Sequence, residues 1–158
     1  MSLFKGLVNL AKSTSKRLRD GGEYDADGKK HGVWLEHYAN GQIHTFEEFR
    51  HGGEVGRHTW YYDDGELLKE IIYSDEHERL SSRCYHQNGS LYWEETYQCW
   101  KKGPVEFTYK IYSNGRLSEE GRMFNHMLNG ELRVYDSNGE LVERSGIYVD
   151  GDKVADLS

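Results

Sequence analysis

Hydrophobic and polar residues alternate along most of this chain, and the alternation is interrupted at evenly spaced turn dipeptides. Asn40-Gly41, Asp64-Gly65, Asn88-Gly89, Asn114-Gly115 and Asn138-Gly139 place their glycines 24, 24, 26 and 24 residues apart. Two residues after each glycine stands an aliphatic: Ile43, Leu67, Leu91, Leu117 and Leu141. Three residues before it stand Tyr38, Tyr62, His86, Tyr112 and Asp136. Alternation with period two on both sides of an Asn-Gly or Asp-Gly pair is the signature of a β-hairpin. The spacing therefore predicts a hairpin about each of Gly41, Gly65, Gly89, Gly115 and Gly139.

A two-residue type I′ turn is expected at each pair, because both central residues can take positive φ there. In that register Tyr38 faces Ile43, Tyr62 faces Leu67 and Tyr112 faces Leu117. Large groups fall on both faces of the strands, with few aliphatics on either. The prediction is an all-β repeat, a single-layer antiparallel meander of about five two-stranded hairpins. It is held by nearest-neighbour stacking of its units, as in other repeat proteins. The longer link from Gln98 to Val105 holds the one proline, Pro104, and is the expected bulge or kink. A partial sixth unit begins at Ile147.

Composition sharpens this picture. The 158 residues include 18 Gly, 12 Tyr and a single Pro, with only 36% hydrophobic and 30% charged residues. An aromatic share of 13% is too rich for a disordered acidic chain. Glycine without a three-residue period excludes collagen. A net charge of −7 is wrong for gripping phosphate backbones, so no nucleic-acid partner is expected. Two cysteines, Cys84 and Cys99, make no disulfide framework, and their places on the hairpin predict free thiols. With no apolar run long enough to span a bilayer, a cytoplasmic location is expected.

The stretch Gly32-x-Trp34-x-x-x-Tyr38-x-Asn40-Gly41, followed by an alternating strand and a Phe-x-x-Gly-x-x-x-Gly turn, resembles the MORN-repeat variant. That variant is the type carried by bacterial YwqK-like antitoxins, and the likeness covers residues 23–155. The resemblance implies a repeat module that binds another protein, in the antitoxin case a toxin with a basic surface. It implies as an alternative a structural or membrane-proximal scaffold of the cellular or giant-virus type. Departures concentrate in the middle of the array. There the glycine nine before the turn becomes Leu80 and Glu106, which points to a partner-specific surface in that region.

Residues 1–20 differ from the rest. Leu3, Leu7, Leu10 and Leu18 form a helical stripe beside Lys5, Lys12, Lys16, Arg17 and Arg19. An amphipathic basic helix is expected, packed on the sheet or over its first edge. Contact of residues 3–19 with an anionic membrane surface is the alternative.

No phosphate loop, nucleophile elbow or Cys-x-x-Cys pair is present. Adjacent carboxylates such as Glu94-Glu95 point to opposite faces of a strand and cannot form a two-carboxylate site. We therefore expect no enzyme, no cofactor and no metal. His37 and His44 lie opposite one another and are read as exposed polar residues of the first hairpin. The residues expected to bind a partner are aromatics beside acids: Tyr61, Tyr85, Tyr92, Trp93, Glu94, Glu95, Trp100 and Tyr109. Tyrosine and tryptophan give contact area at low entropic cost, and the acid complements a basic partner.

Overall fold

A computed structural model describes residues 20–99 and 105–157. Over these residues the chain runs back and forth through 13 strands of one antiparallel sheet. The first five are β1 (Gly21–Tyr24), β2 (Lys30–His37), β3 (Ile43–Arg50), β4 (Gly53–Glu54) and β5 (Gly56–Tyr61). The middle holds β6 (Leu67–Tyr73), β7 (Arg79–Tyr85), β8 (Leu91–Cys99) and β9 (Glu106–Ser113). The last four are β10 (Arg116–Phe124), β11 (Met127–Val134), β12 (Gly146–Val149) and β13 (Asp152–Ala155). Spatial order follows chain order, with the two-residue β4 off the path and paired to β3. This is the all-β meander that the alternation predicts, extended by β1 at one end and by the β12–β13 hairpin at the other.

One part of the expected architecture is corrected. The sheet-plus-helix description does not hold, because the described residues contain strands and turns and no helix. The predicted N-terminal helix falls on residues outside the described ones, apart from Asp20, which is a bend leading into β1. Edge protection can come from strand length instead: β1 and β13 have four residues each, and very short edge strands give a neighbour little to pair with.

The turns also differ from expectation. At Asn40-Gly41 the Gly41 N–H donates to Tyr38 O (2.9 Å) and the Tyr38 N–H to Gln42 O (2.8 Å). Gly41 is left-handed at φ 84°, and Asn40 is not. This is a three-residue loop, a type I turn followed by a glycine bulge. The turns at Gly65, Gly89 and Gly139 repeat the same backbone bonds. The Asn or Asp side chain accounts for the preference, since Asn40 Oδ1 accepts the Gln42 N–H at 2.9 Å and so caps the loop from within. Of the five predicted pairs, Asn114-Gly115 alone has both residues at positive φ, 49° and 75°.

Register follows from the turns. Leu117 opposes Tyr112 as predicted, but Ile43 opposes His37, and Leu67 opposes Tyr61. A bulge one step further restores the expected pairing, so that Trp34 faces Glu47 and His58 faces Ile71. The long link shows the expected irregularity as a register shift between Tyr97 and Cys99, while Pro104 lies outside the described residues.

Consecutive registers assign each side chain to a face. On one face a row crosses the sheet through His58, Ile71, Ser82, Glu95, Tyr109, Gly121 and Leu132. On the other a row runs through Thr59, Glu70, Arg83, Glu94, Lys110, Glu120 and Arg133. The first row holds most of the burial: His58 and Leu132 are at 0% exposure and Ser82 at 1%. Rings from flanking strands close over it, with Phe49 and Tyr73 centred 5.4 and 4.8 Å from His58.

Candidate functional site

The two rows divide the residues that sequence reasoning grouped together. Trp93, Glu95 and Tyr109 lie on the face with the buried row. Tyr61, Tyr85 and Glu94 lie on the opposite, charged face. Tyr92 sits in the bulge between Leu91 and Trp93, 45% exposed, with its ring 5.0 Å from that of His86. Trp100 lies outside the described residues. No single patch can therefore contain all of them, because neighbouring strand residues alternate sides.

On the apolar face the carboxylates are engaged. Glu95 accepts from Arg79 at 3.2 Å and from the Tyr97 hydroxyl at 2.6 Å. The Arg79 guanidinium lies 4.8 Å from the centre of the Tyr97 ring. Tyr109 donates to Glu119 at 2.8 Å, and Arg144 holds the other oxygen of Glu119 at 3.2 Å. Burial, reinforced by the acceptor carboxylates, pushes both tyrosine hydroxyls well above their ordinary range, so they stay protonated donors. Tyr92, Trp93, Glu95, Tyr109, Lys110 and Ile111 line a shallow recess of about 130 Å³.

The charged face is internally compensated. Glu70, Arg83, Glu94, Lys110, Glu120 and Arg133 alternate in sign across six adjacent strands. Arg83 reaches Glu70 at 3.7 Å and Glu94 at 3.2 Å, and Arg133 reaches Glu120 at 3.7 Å. Arg57 also pairs with Glu70. Burial opposes ionisation of Glu94, but the Tyr112 hydroxyl and Arg83 outweigh it and hold the carboxyl below its ordinary value. Opposite charges on facing strands stabilise a sheet, and this row reads as that.

The acid excess lies elsewhere. All 27 acidic residues fall in the described part of the chain, with 13 of the 20 basic ones. Many of them cap turns. Asp25, Asp64 and Asp136 accept backbone N–H groups, and these bonds hold their carboxyls below the ordinary value. Exposed Asp63, Asp64 and Glu66 crowd one turn.

The histidine pair of the first hairpin does not converge. His37 bonds Asp20 at 2.8 Å, while His44 stacks on Tyr38 and lies 3.8 Å from Glu36. Cys84 carries a free thiol, raised in pKa by burial. Among the described residues, one group of potential metal ligands has donor atoms that come together: Asp25, His31 and His51. The sequence pattern missed it, because two of its members lie in turns at the other end of the hairpin.

Comparison with known proteins agrees with the repeat geometry. No curated protein matches the chain significantly. Residues 30–45 and 54–75, which span β2 into β3 and β5 through β6, match the MORN repeat variant. The two stretches that match are thus hairpins of the MORN repeat variant type, and the same turn geometry recurs further along the sheet.

Proposed function

We propose that this chain is a non-enzymatic module that binds another protein, through the apolar face around Tyr92, Trp93 and Tyr109. The observation that carries this reading is the recess beside Tyr92. A one-layer sheet has no second layer to fill such a recess, which is partly open to solvent. An aromatic rim with a central pocket is how proteins receive an anchoring side chain. The hydrogen bonds of Glu95 and Tyr109 fix the geometry of this recess, and Lys110 adds a cation to its lining.

The finer reading is an antitoxin-like or immunity role, with a basic protein such as a toxin as the partner. The acidic excess at the turns supports it by attracting a basic protein over long range, an effect that acts on association rate more than on final affinity. Glu94 and Glu95 are not the attracting groups in this version, since each already holds an arginine. The exposed acids of the Asp63–Glu66 turn take that role.

The test is capture of partners by the full chain, compared with Tyr92→Ser, Trp93→Ser and Val154→Ser, the last on the remote strand β13. A protein retained by the parent and by Val154→Ser but lost by the two recess variants supports the proposal. A partner held equally by all four removes this face from the account. Replacing Asp63 and Glu66 with Lys should slow association with a basic partner and flatten its salt dependence.

A further inference from the structure

Five histidines stand between residues 31 and 58, and the fold gathers two of them with a carboxylate at one end of the first hairpin. Asp25 lies in the β1–β2 turn, His31 near the start of β2, and His51 in the β3–β4 turn at φ 49°. Their ligand atoms all lie within 4.8 Å of one another. His51 Nδ1 is 2.8 Å from Asp25 Oδ2, and the His31 and His51 rings are centred 5.0 Å apart.

The carboxylate is held in place for this role. Asp25 Oδ1 accepts the backbone N–H groups of Asp27 (3.0 Å) and Lys29 (2.9 Å), which turns Oδ2 toward His51. An outer shell of this kind fixes a ligand before an ion arrives. The nearby ammonium of Lys30 is directed elsewhere, 4.5 Å from the ring centres of both Trp34 and Phe49. His51 is 67% exposed on its side chain, so an ion could enter from solvent.

We propose that Asp25, His31 and His51 form a site for a divalent transition metal of imidazole preference, with Zn²⁺ the first choice. Two imidazole nitrogens and one carboxylate oxygen are a usual three-residue donor set for zinc, with water in the remaining position. Zinc bonds of about 2.0–2.1 Å set tetrahedral donors roughly 3.3 Å apart, so small side-chain rotations close the site. The Asp25–His51 hydrogen bond opens as His51 Nδ1 turns its lone pair to the metal and its ring proton sits on Nε2, and His31 Nδ1 gives up the His51 main-chain N–H that it accepts at 3.4 Å. The ion would tie the β1–β2 turn to the β3–β4 turn and clamp the first edge of the sheet.

The experiment is calorimetric titration of the tag-free full chain with Zn²⁺, with hydrogen exchange followed in the same samples. One ion per chain is expected, with slowed exchange in β1 and β2 and none of that slowing in β12 and β13. His51→Asn keeps a residue tolerant of left-handed φ, and Asp25→Asn keeps the cap on Asp27 and Lys29. Each should weaken binding about tenfold or more, as should His31→Gln. The control His37→Gln with His44→Gln should bind as the parent does. Absence of binding with Zn²⁺ in excess over the chain overturns the proposal. So does binding that the control pair abolishes and the site variants keep.

Discussion

The Tyr38 hydroxyl donates to the main-chain oxygen of Tyr61, 2.7 Å away and 23 residues further along the chain. Tyr62 makes the same bond to Tyr85 at 3.0 Å. Asn40 adds a bond to Asp63 O at 2.7 Å. Successive turns are thus tied to each other as well as through the strands. Tyr62→Phe should lower stability by about 1 kcal/mol, the net worth of one such bond, with little change in the rest of the sheet. Denaturant unfolding checks this; an unchanged midpoint would show that the ladder contributes nothing.

The ring of Tyr109 lies across Gly121 on the neighbouring strand. A methyl group at that glycine would meet the tyrosine Cε1 and Oη at 2.9 Å. Gly121→Ala should therefore cost about 1–3 kcal/mol through overpacking. Repeating it in a Tyr109→Ser background should cost clearly less, and an undiminished cost there would place the strain in the backbone instead.

Leu132 and Ser82 lie in the same buried row, with opposite consequences for truncation. Leu132→Ala should cost about 2–5 kcal/mol, because it opens a cavity at a fully buried position. The Ser82 hydroxyl is buried without a hydrogen-bond partner among the described residues, so Ser82→Ala should be neutral or slightly stabilising. Thermal unfolding of the two variants makes the comparison; a large loss for Ser82→Ala would reveal a partner for its hydroxyl.

On the charged row, burial grades the contributions. Glu70 is 7% exposed and serves the partly exposed Arg57 and Arg83 together, so Glu70→Ala should cost about 1–3 kcal/mol. The Arg83–Glu94 pair is open to water, and a double-mutant cycle should give a coupling below about 1 kcal/mol. Equal values for the two would remove burial as the deciding factor.

Alkaline pH should weaken the fold. Burial, followed by the charge of Glu54, pushes the Tyr73 hydroxyl from 10.0 up to about 12. A group whose pKa is raised on folding contributes stability that is complete below its unfolded value and disappears as pH passes the folded one. The loss should therefore develop between pH 10 and 12. Tyr61, Tyr85, Tyr97 and Tyr109 shift in the same direction, each first by burial. In Tyr73→Phe the melting temperature should fall less over that window; an identical fall would assign it to general charge repulsion.

Reading the chain by its alternation identified the hairpins, because a period of two and a glycine at a bulge are local properties. The register beyond the bulge was legible in the first three hairpins, where Trp34 opposite Glu47 follows from counting outward from Asn40-Gly41, but not in the fourth, where a bulge after Leu117 moves Glu119 opposite Ile111. The turn beginning at Ser74 was not, since His77, at φ 68°, stands where the other loops have glycine. Nor was the turn type, which depends on a side-chain cap and not on the dipeptide alone.

The sequence by itself determined that this protein is a meander of repeated hairpins, since each turn and its alternating flanks are encoded within some two dozen neighbouring residues. The tertiary structure decided which residues share a face, because every bulge shifts parity and the shifts accumulate across the sheet. That is why Trp93, Glu95 and Tyr109 come to share one face, why Glu94 and Glu95 each come to hold an arginine from another strand, and why Asp25, His31 and His51 meet. Contacts across strands depend on the sum of all intervening registers, a quantity that no single hairpin contains.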